Sequence, residues 1–401
     1  MALTLQESAL VAAAAAAPMR AQVERWAAIN TGTSNLAGLS ELAGQLAEAF
    51  GALPGVVRCV DSLPEDSIAP DGILHTTARG KHIHVAVRPG ANRRILLTGH
   101  MDTVFPADHP FQTLTEIEPG VINGPGVADM KGGIAVMLAA LLAFEDSNAA
   151  SALGYDVVLN SDEETGSTTS AALIADLARG KVAALTYEPA ALPDGTLAGA
   201  RPGSGNFSFV VTGVSAHAGR NPDDGRSALL AAADLALRLA ALRTAGLSVN
   251  PAKIDGGGPN NVVPDHAVLR VNMRPLTAAL QSFASESIAS IVGQVSEWHD
   301  VKIAIHGGFG RPPKPINAPA ERLFGLVRDC GADLGQSIAW RATGGVCDGN
   351  NIAACGVPVV DTMGVRGGAI HSPHEYLIVE SLAERAALSA LTLYRLANGA
   401  L

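Results

Sequence analysis

The sequence predicts an α/β fold in two parts: a larger domain around a mixed sheet, and a smaller α+β insert. Three observations predict it. Apolar runs of strand length alternate with helical stretches through the first half of the chain. Near Gly203 the strands change to an alternating apolar–polar character and are separated by long helices. Apolar residues make up 48% of the 401 residues and charged residues only 16%, so an extensive core can be buried. Aromatics are scarce at 4%, and the abundant small residues permit close helix–sheet packing instead.

Taken in order, the chain begins with an apolar run, Ala9 to Pro18, followed by Arg20, Glu24 and Arg25, which suit an exposed helix face. Residues 82–89 (HIHVAVRP) and 94–101 (RILLTGHM) read as strands ending in turn chemistry. Lys131 to Phe144 is rich in Gly, Ala and Leu and holds no proline, the pattern of a buried helix. Residues 156–161 (DVVLNS) and 183–187 (AALTY) read as core strands. Strands of nearly continuous apolar character with helices between them imply a sheet covered on both faces. The insert then reads as strand 206–213, helix Arg226 to Arg243, strand Ala267–Met273, helix 277–299 and strand 301–306. The Pro-rich segment Arg311–Pro315 returns the chain to the first domain. The expected boundaries are 1–202 and 313–401 for the two parts of the larger domain, and 203–312 for the insert.

Charge and cysteine usage exclude several classes. The net charge is -10 and the basic residues form no cluster, so no nucleic-acid partner is expected. Cys59, Cys330, Cys347 and Cys355 form no CxxC pair, which argues against a thiolate zinc site and favours reduced thiols. No stretch is read as a membrane span, and no membrane partner is expected. No Lys or Arg precedes the apolar N-terminal run, which favours a soluble helix in a cytoplasmic protein; an export signal is the alternative.

Five clusters of acids and imidazoles fall at strand ends or turns. His100 and Asp102 are two apart on a strand and point the same way, as an imidazole ligand and the carboxylate orienting it would. Asp129 sits in the glycine-rich turn Gly124–Gly133 just before a helix. Neither GxGxxG nor GxxxxGK[ST] is present there, so a phosphate cradle is the weaker reading. Asp162, Glu163 and Glu164 are consecutive, which is costly unless a cation neutralises them. Glu188 ends an apolar strand, and His371 lies in His371-Ser372-Pro373-His374-Glu375. Each cluster alone has a bland alternative: a helix cap, a solvated acidic loop, an incidental turn. Together they supply two imidazoles and several carboxylates, a set suited to zinc, manganese or cobalt rather than copper(I). His82 and His84 share a strand face without an acid partner in the sequence, and with His374 they read as structural.

The segments GHMDTV, GPGVADMKGG, SDEETGS, YEP, SAHAG and IHSPHE resemble, in order and over nearly the whole chain, the successive signatures of the M20 family of metallopeptidases. That family includes glutamate carboxypeptidases, acetylornithine deacetylases and succinyl-diaminopimelate desuccinylases. The resemblance implies a di-metal catalytic domain with a ferredoxin-like lid that often dimerises. It implies two Zn(2+) per chain, with Mn(2+) or Co(2+) as alternatives: His100 and Glu188 on one, Glu164 and His371 on the other, and Asp129 bridging. Glu163 would be the general base, Asp102 would orient His100, and His217 would meet the oxyanion, often from across a homodimer. The implied reaction is attack of a metal-bridging hydroxide on an amide bond.

Substrate clues follow from the same resemblance. Glu188 matches carboxypeptidase- and deacylase-like members, where several aminopeptidase-like members have Asp. Arg274 resembles the arginine that forks onto a substrate carboxylate. Asn261 matches a lid asparagine near the substrate, and Gly344 and Gly345 match a glycine-rich loop at the carboxylate pocket. Cys347 departs from that loop's pattern, which usually carries Thr or Ser. The expected partner is a small N-acyl amino acid or a short peptide with a free carboxylate. An aminopeptidase or dipeptidase, or a non-catalytic binding protein on the same fold, are the competing readings.

Overall fold

The computed structural model describes residues 2–401. Ten strands carry the two main sheets. The first five are β1 (Val56–Val60), β2 (His82–Val87), β3 (Arg94–His100), β4 (Gly154–Asn160) and β5 (Ala183–Thr186). The insert holds β6 (Ser204–Thr212), β7 (Leu247–Gly256), β8 (His266–Pro275) and β9 (Lys302–Arg311), and β10 is Val359–Val360. The central sheet runs β1-β2-β4-β3-β5-β10. β1 and β2 pair antiparallel on one side, whereas β4, β3, β5 and β10 are mutually parallel. The parallel strands β4 and β5 are buried along their whole length, which is why they read as continuous apolar runs rather than alternating ones.

Parallel pairing has a consequence for function. The carboxyl ends of β3, β4 and β5 all lie on one edge of the sheet, with His100 opposite Asn160 and Thr98 opposite Thr186. Loops that leave that edge are where α/β sheets bind their ligands. Here they begin Met101-Asp102, Ser161-Asp162-Glu163-Glu164 and Tyr187-Glu188.

The helix Gly132–Glu145 is buried nearly all round, packed between the helices Leu5–Ala15 and Glu380–Ala397. The helical run Val127–Glu145 is in fact long and apolar enough to cross a bilayer, which corrects the expectation that no stretch is. It is 94% buried inside the protein, so its hydrophobicity is that of a core helix.

The insert has its own core. Phe207, Phe209, Val211, Leu269 and Val271 from the sheet meet Ala231, Leu235, Leu239, Ile288 and Val295 from the helices Ala228–Ala240 and Ala278–His299. Its strands run β7-β8-β6-β9, all antiparallel, which with strand–helix–strand–strand–helix–strand connectivity is the ferredoxin-like arrangement. The sequence reading omitted β7. That strand is mostly solvent-exposed, and its Pro251 sits at a register shift against β8. An edge strand carrying a proline at a bulge has neither the apolar alternation nor the composition that marks a strand. A hairpin, Glu65–Ile68 with Leu74–Thr77, was also missed. It reaches the insert, where the Arg270 guanidinium donates to the Ile68 carbonyl at 2.7 Å.

The two segments joining the insert to the larger domain run side by side. Arg201 and Lys314 exchange backbone hydrogen bonds of 2.9 and 3.0 Å. The Asn350 amide donates to both Pro202 O and Pro312 O at 2.8 Å. Both cationic side chains converge on buried Asp361, at 2.7 Å each.

Candidate active site

Asp129 is the centre of the site. Its Oδ1 lies 3.0 Å from His100 Nε2 and its Oδ2 lies 3.2 Å from His371 Nε2. One carboxylate therefore faces two imidazoles, one through each oxygen. Glu188 Oε2 is 3.7 Å from His100 Nε2, and Glu164 Oε2 is 3.1 Å from His371 Nε2. Donor atoms of His100, Asp129 and Glu164 lie within 4.8 Å of one another, as do those of His100, Glu163 and Glu188. The residues expected at the metals and the expected base are thus brought together from five separate stretches of chain.

Local structure explains how each is presented. His100 is the last residue of β3 and is 1% exposed. Its Nδ1 lies 3.0 Å from the Asp102 carbonyl oxygen and 3.5 Å from the Asp102 carboxylate. The backbone is therefore the nearer orienting group. The Asp102 carboxylate mainly accepts from the amides of Glu163 and Glu164, both at 3.2 Å, and from the Thr33 hydroxyl at 2.7 Å. It fixes the turn that carries the two glutamates. Asp162 has no place at the centre: it accepts from Thr169 and Ser170 and ties down the same loop.

The Asp129 loop is held by a residue to which the sequence reading gave no role. Glu375 accepts from the backbone amides of Ala128 and Asp129 through Oε1, and of Gly126 through Oε2, at 3.0–3.1 Å. Gly126 has φ 72°, the left-handed region that favours glycine. The only available signal for Glu375 was its place in the motif that supplies His371. His371 itself has φ 62°, a strained backbone of the kind found where function fixes a conformation.

The electrostatics are those of a site short of positive charge. Burial pushes the Glu163 carboxyl up to about 7, with Arg311 pulling the other way, and burial together with Asp129 pushes Glu164 up to about 8. Burial also raises Glu188. For Asp129, burial is outweighed by His100 and His371, which hold it below the usual carboxylate range. Hydrogen bonds to Asp129 and Glu164 lift His371 to about 11. Buried acids that hold protons at neutral pH are acids that a cation would discharge. The donor set, two imidazoles and three carboxylates with one carboxylate shared, fits two divalent cations of the zinc, manganese or cobalt type.

A cavity of about 450 Å3 opens beside this cluster. Asp129, Glu163, Glu188 and His371 form one wall, and Pro189, Ala198, Val346, Cys347 and Ile370 contribute to the other walls. Arg201 lines it too, and so does Gly345. Arg201 was missed because an arginine between Ala200 and Pro202 carries no pattern. Arg274 is half-buried and donates to the Gly344 carbonyl at 2.9 Å, which joins the insert to the glycine-rich loop. Cys347 is buried, with its Sγ 3.5 Å from Asp361 Oδ2.

Of the residues expected at the oxyanion and the substrate, Gly345 lines the cavity within one chain, whereas Arg274, Gly344, His217 and Asn261 do not. His217 is exposed on the short strand Ala216–His217, its Nδ1 accepting from the amides of Gly219 and Arg220. Asn261 is exposed beside it, its carbonyl accepting from Ala218 N. One correction concerns His84. An acid partner does exist, since His84 Nε2 lies 2.8 Å from Asp156 Oδ1 across the sheet. His82 is buried against Ser62 and Ser161. Neither joins a metal-sized cluster among the described residues.

Comparison with known proteins agrees with this arrangement. The profile of peptidase family M20/M25/M40 matches residues 96–395. Carboxypeptidase G2 of Pseudomonas sp. is 27% identical over 332 residues, which cover 80% of this chain and 78% of the relative. A succinyl-diaminopimelate desuccinylase of Xanthomonas oryzae pv. oryzae is 28% identical over 321 residues, covering 75% and 83%. Among solved structures, an M20 family metallo-carboxypeptidase from Sulfolobus solfataricus superposes with a TM-score of 0.71 at 15% identity, covering 94% of this chain and 99% of that one. A tripeptidase from Staphylococcus aureus gives 0.72 at 22%, covering 95% and 98%. At such identities the structural likeness speaks for the fold.

Proposed function

This chain belongs to peptidase family M20/M25/M40, and on that premise we propose that it hydrolyses the amide bond of an N-acyl amino acid or short peptide with a free carboxylate, using two zinc ions. The observation that carries the reading is the shared carboxylate: Asp129 offers one oxygen beside His100 and the other beside His371. His100 and Glu188 would hold one cation, and Glu164 and His371 the other. When bound, the pair acidifies a water molecule and polarises the amide carbonyl.

The protein's own groups do the rest. Glu163 lines the cavity beside the cluster and takes the proton of the attacking water. The water oxygen bonds to the acyl carbon, the C–N bond breaks, and Glu163 returns the proton to the departing nitrogen. Asp102 holds the Glu163–Glu164 turn in place. Arg274, outside the cavity lining but bonded to the Gly344 carbonyl next to cavity-lining Gly345, is the group proposed to meet a substrate carboxylate. A carboxypeptidase-type reaction is favoured, in keeping with the likeness to carboxypeptidase G2, and glutamate is the leaving group to test first, from the resemblance of the motifs to glutamate carboxypeptidases.

His217 and Asn261 would complete the site from a second copy, docked through the insert. Support for such a homodimer is the exposure of both residues away from the cavity of their own chain, together with Leu230 and Leu237, 64% and 73% exposed on an insert helix. Light scattering should then give twice the chain mass.

The deciding experiment is metal content by plasma mass spectrometry on zinc-loaded, desalted protein, followed by assay on N-acyl glutamates and their free-amine dipeptide counterparts. About two zinc per chain with cleavage of the acylated substrates is the expected result. A metal content near zero overturns the central claim. Cleavage of free-amine substrates alone moves the assignment to an aminopeptidase or dipeptidase.

A further inference from the structure

The last residue of β9 does more than close the insert's sheet. Arg311 is 5% exposed, and its Nη2 sits 2.8 Å from Glu163 Oε1, 3.0 Å from the Glu163 carbonyl oxygen and 2.9 Å from Ser167 Oγ. Asp348 Oδ1 is 3.6 Å away. The contact with Oε1 is a close charge contact without hydrogen-bond alignment. Arg311 is not among the cavity-lining residues, whereas Glu163 is. The guanidinium therefore contacts the carboxylate without itself lining the cavity.

We infer that Arg311 is a positioning residue for Glu163, delivered from the insert, so that the seating of the lid is read directly at the general base. The inference rests on the proposed role of Glu163. Three features carry it. The same nitrogen donates to the backbone carbonyl of Glu163 and lies in charge contact with its carboxylate, so one group on the insert addresses both. Arg311 is covalently continuous with the insert, and the next residue, Pro312, is clamped with Pro202 by the single amide of Asn350. Ser167 and Asp348 flank the guanidinium, and Asp348 also accepts from Asn160 at 2.8 Å, so Arg311 is anchored to the end of β4. A carboxylate that must collect a proton from one atom and return it to another depends on such fixed placement.

The test uses the zinc-loaded full-length protein and Arg311→Lys, Arg311→Met and Arg311→Ala, with Glu163→Gln as reference. Each variant is measured for kcat, KM, metal content and melting temperature, and Arg311→Ala is also assayed with millimolar guanidinium chloride. The expected result for Arg311→Met is a kcat lower by about 10–100-fold, with KM and metal content within about twofold of the parent. Arg311→Lys should retain an intermediate kcat, and guanidinium should restore part of the Arg311→Ala rate, which a merely structural arginine would not permit. An unchanged kcat overturns the inference. A raised KM with kcat preserved overturns it as well, because Arg311 would then be reading substrate. Loss of folding or metal in every variant without guanidinium rescue overturns it in favour of a structural role. If Glu163→Gln itself turns over normally, the reading of Glu163 fails; if Glu163→Gln is dead and Arg311→Met is not, only the inference about Arg311 fails.

Discussion

Glu163 and Glu375 serve the same cluster with different kinds of work, one proposed for the reacting atoms and one on the loop that presents Asp129. Replacing Glu163 with Ala removes the proton carrier but none of the proposed ligands. Turnover should fall by at least about 100-fold while metal content stays near that of the parent. Normal turnover in a folded Glu163→Ala protein would remove it from the mechanism. Glu375 makes three hydrogen bonds to the Gly126–Asp129 backbone and is not among the residues lining the cavity. Glu375→Ala should weaken metal binding by about 10–100-fold, the usual effect of losing a group that orients a ligand. Titration against a competing chelator measures it, and an unchanged affinity would show that the loop holds Asp129 unaided. The sequence displayed both glutamates equally well. What it could not display is that Glu375 turns back onto a loop about 250 positions earlier in the chain.

Helix Gly132–Glu145 tests propensity against packing. A Cβ added at Gly133 would lie 1.9 Å from the Tyr187 carbonyl oxygen, immediately before Glu188. Helix propensity alone favours Gly133→Ala by about 1 kcal/mol. The clash reverses the sign, and the variant should be destabilised by about 1–3 kcal/mol. Gly325, within helix Ala318–Asp333, has nothing within 4 Å of its added Cβ. Gly325→Ala should therefore gain stability by about 1 kcal/mol. Parallel thermal melts compare the two, and a rise in both would mean that the close approach at Tyr187 is readily relieved. The glycine-rich stretch was visible in the sequence, but its reason was not. It permits contact between a helix and a strand end rather than cradling a phosphate.

Asp361 ties the two parts of the protein together, because Arg201 and Lys314 bring both connecting segments onto its single carboxylate. Burial acts to raise the Asp361 pKa, but Arg201 and Lys314 outweigh it and hold it below the ordinary value of 3.8. The native state thus binds this proton less readily than the unfolded chain does. The stability Asp361 contributes is complete above an unfolded pKa of about 3.9 and is lost as pH falls through the lower folded value. Asp361→Asn leaves two buried cations short of their anion, and should cost about 3–5 kcal/mol at pH 7. The difference from the parent should shrink below about pH 4, in urea unfolding of metal-free protein. A pH-independent difference would mean that shape, not charge, is what Asp361 supplies.

The sequence by itself determined the fold class and the presence of an α+β insert, and its motifs, through a family resemblance, named the candidate ligands. The local pattern that carries this is continuous apolar runs for buried parallel strands, with acids or histidines placed where those runs end. Parallel pairing of β3, β4 and β5 then obliges the three strand ends to share one edge, so the cluster at His100, Glu164 and Glu188 follows from the pattern with little further information. Tertiary structure alone decided which groups hold those ligands still. Glu375 behind Asp129, Arg311 beside Glu163, Asp361 between the connectors and the carbonyl of Asp102 at His100 are all contacts whose partners are chosen by packing. It also decided that β7 is a strand, since a polar edge held by hydrogen bonds to one neighbour needs no hydrophobic signature. The physical reason is the same in each case. Burial of apolar surface has a period that a sequence can show, whereas a hydrogen bond or ion pair between distant positions is specified only once the backbone has brought the two groups within reach.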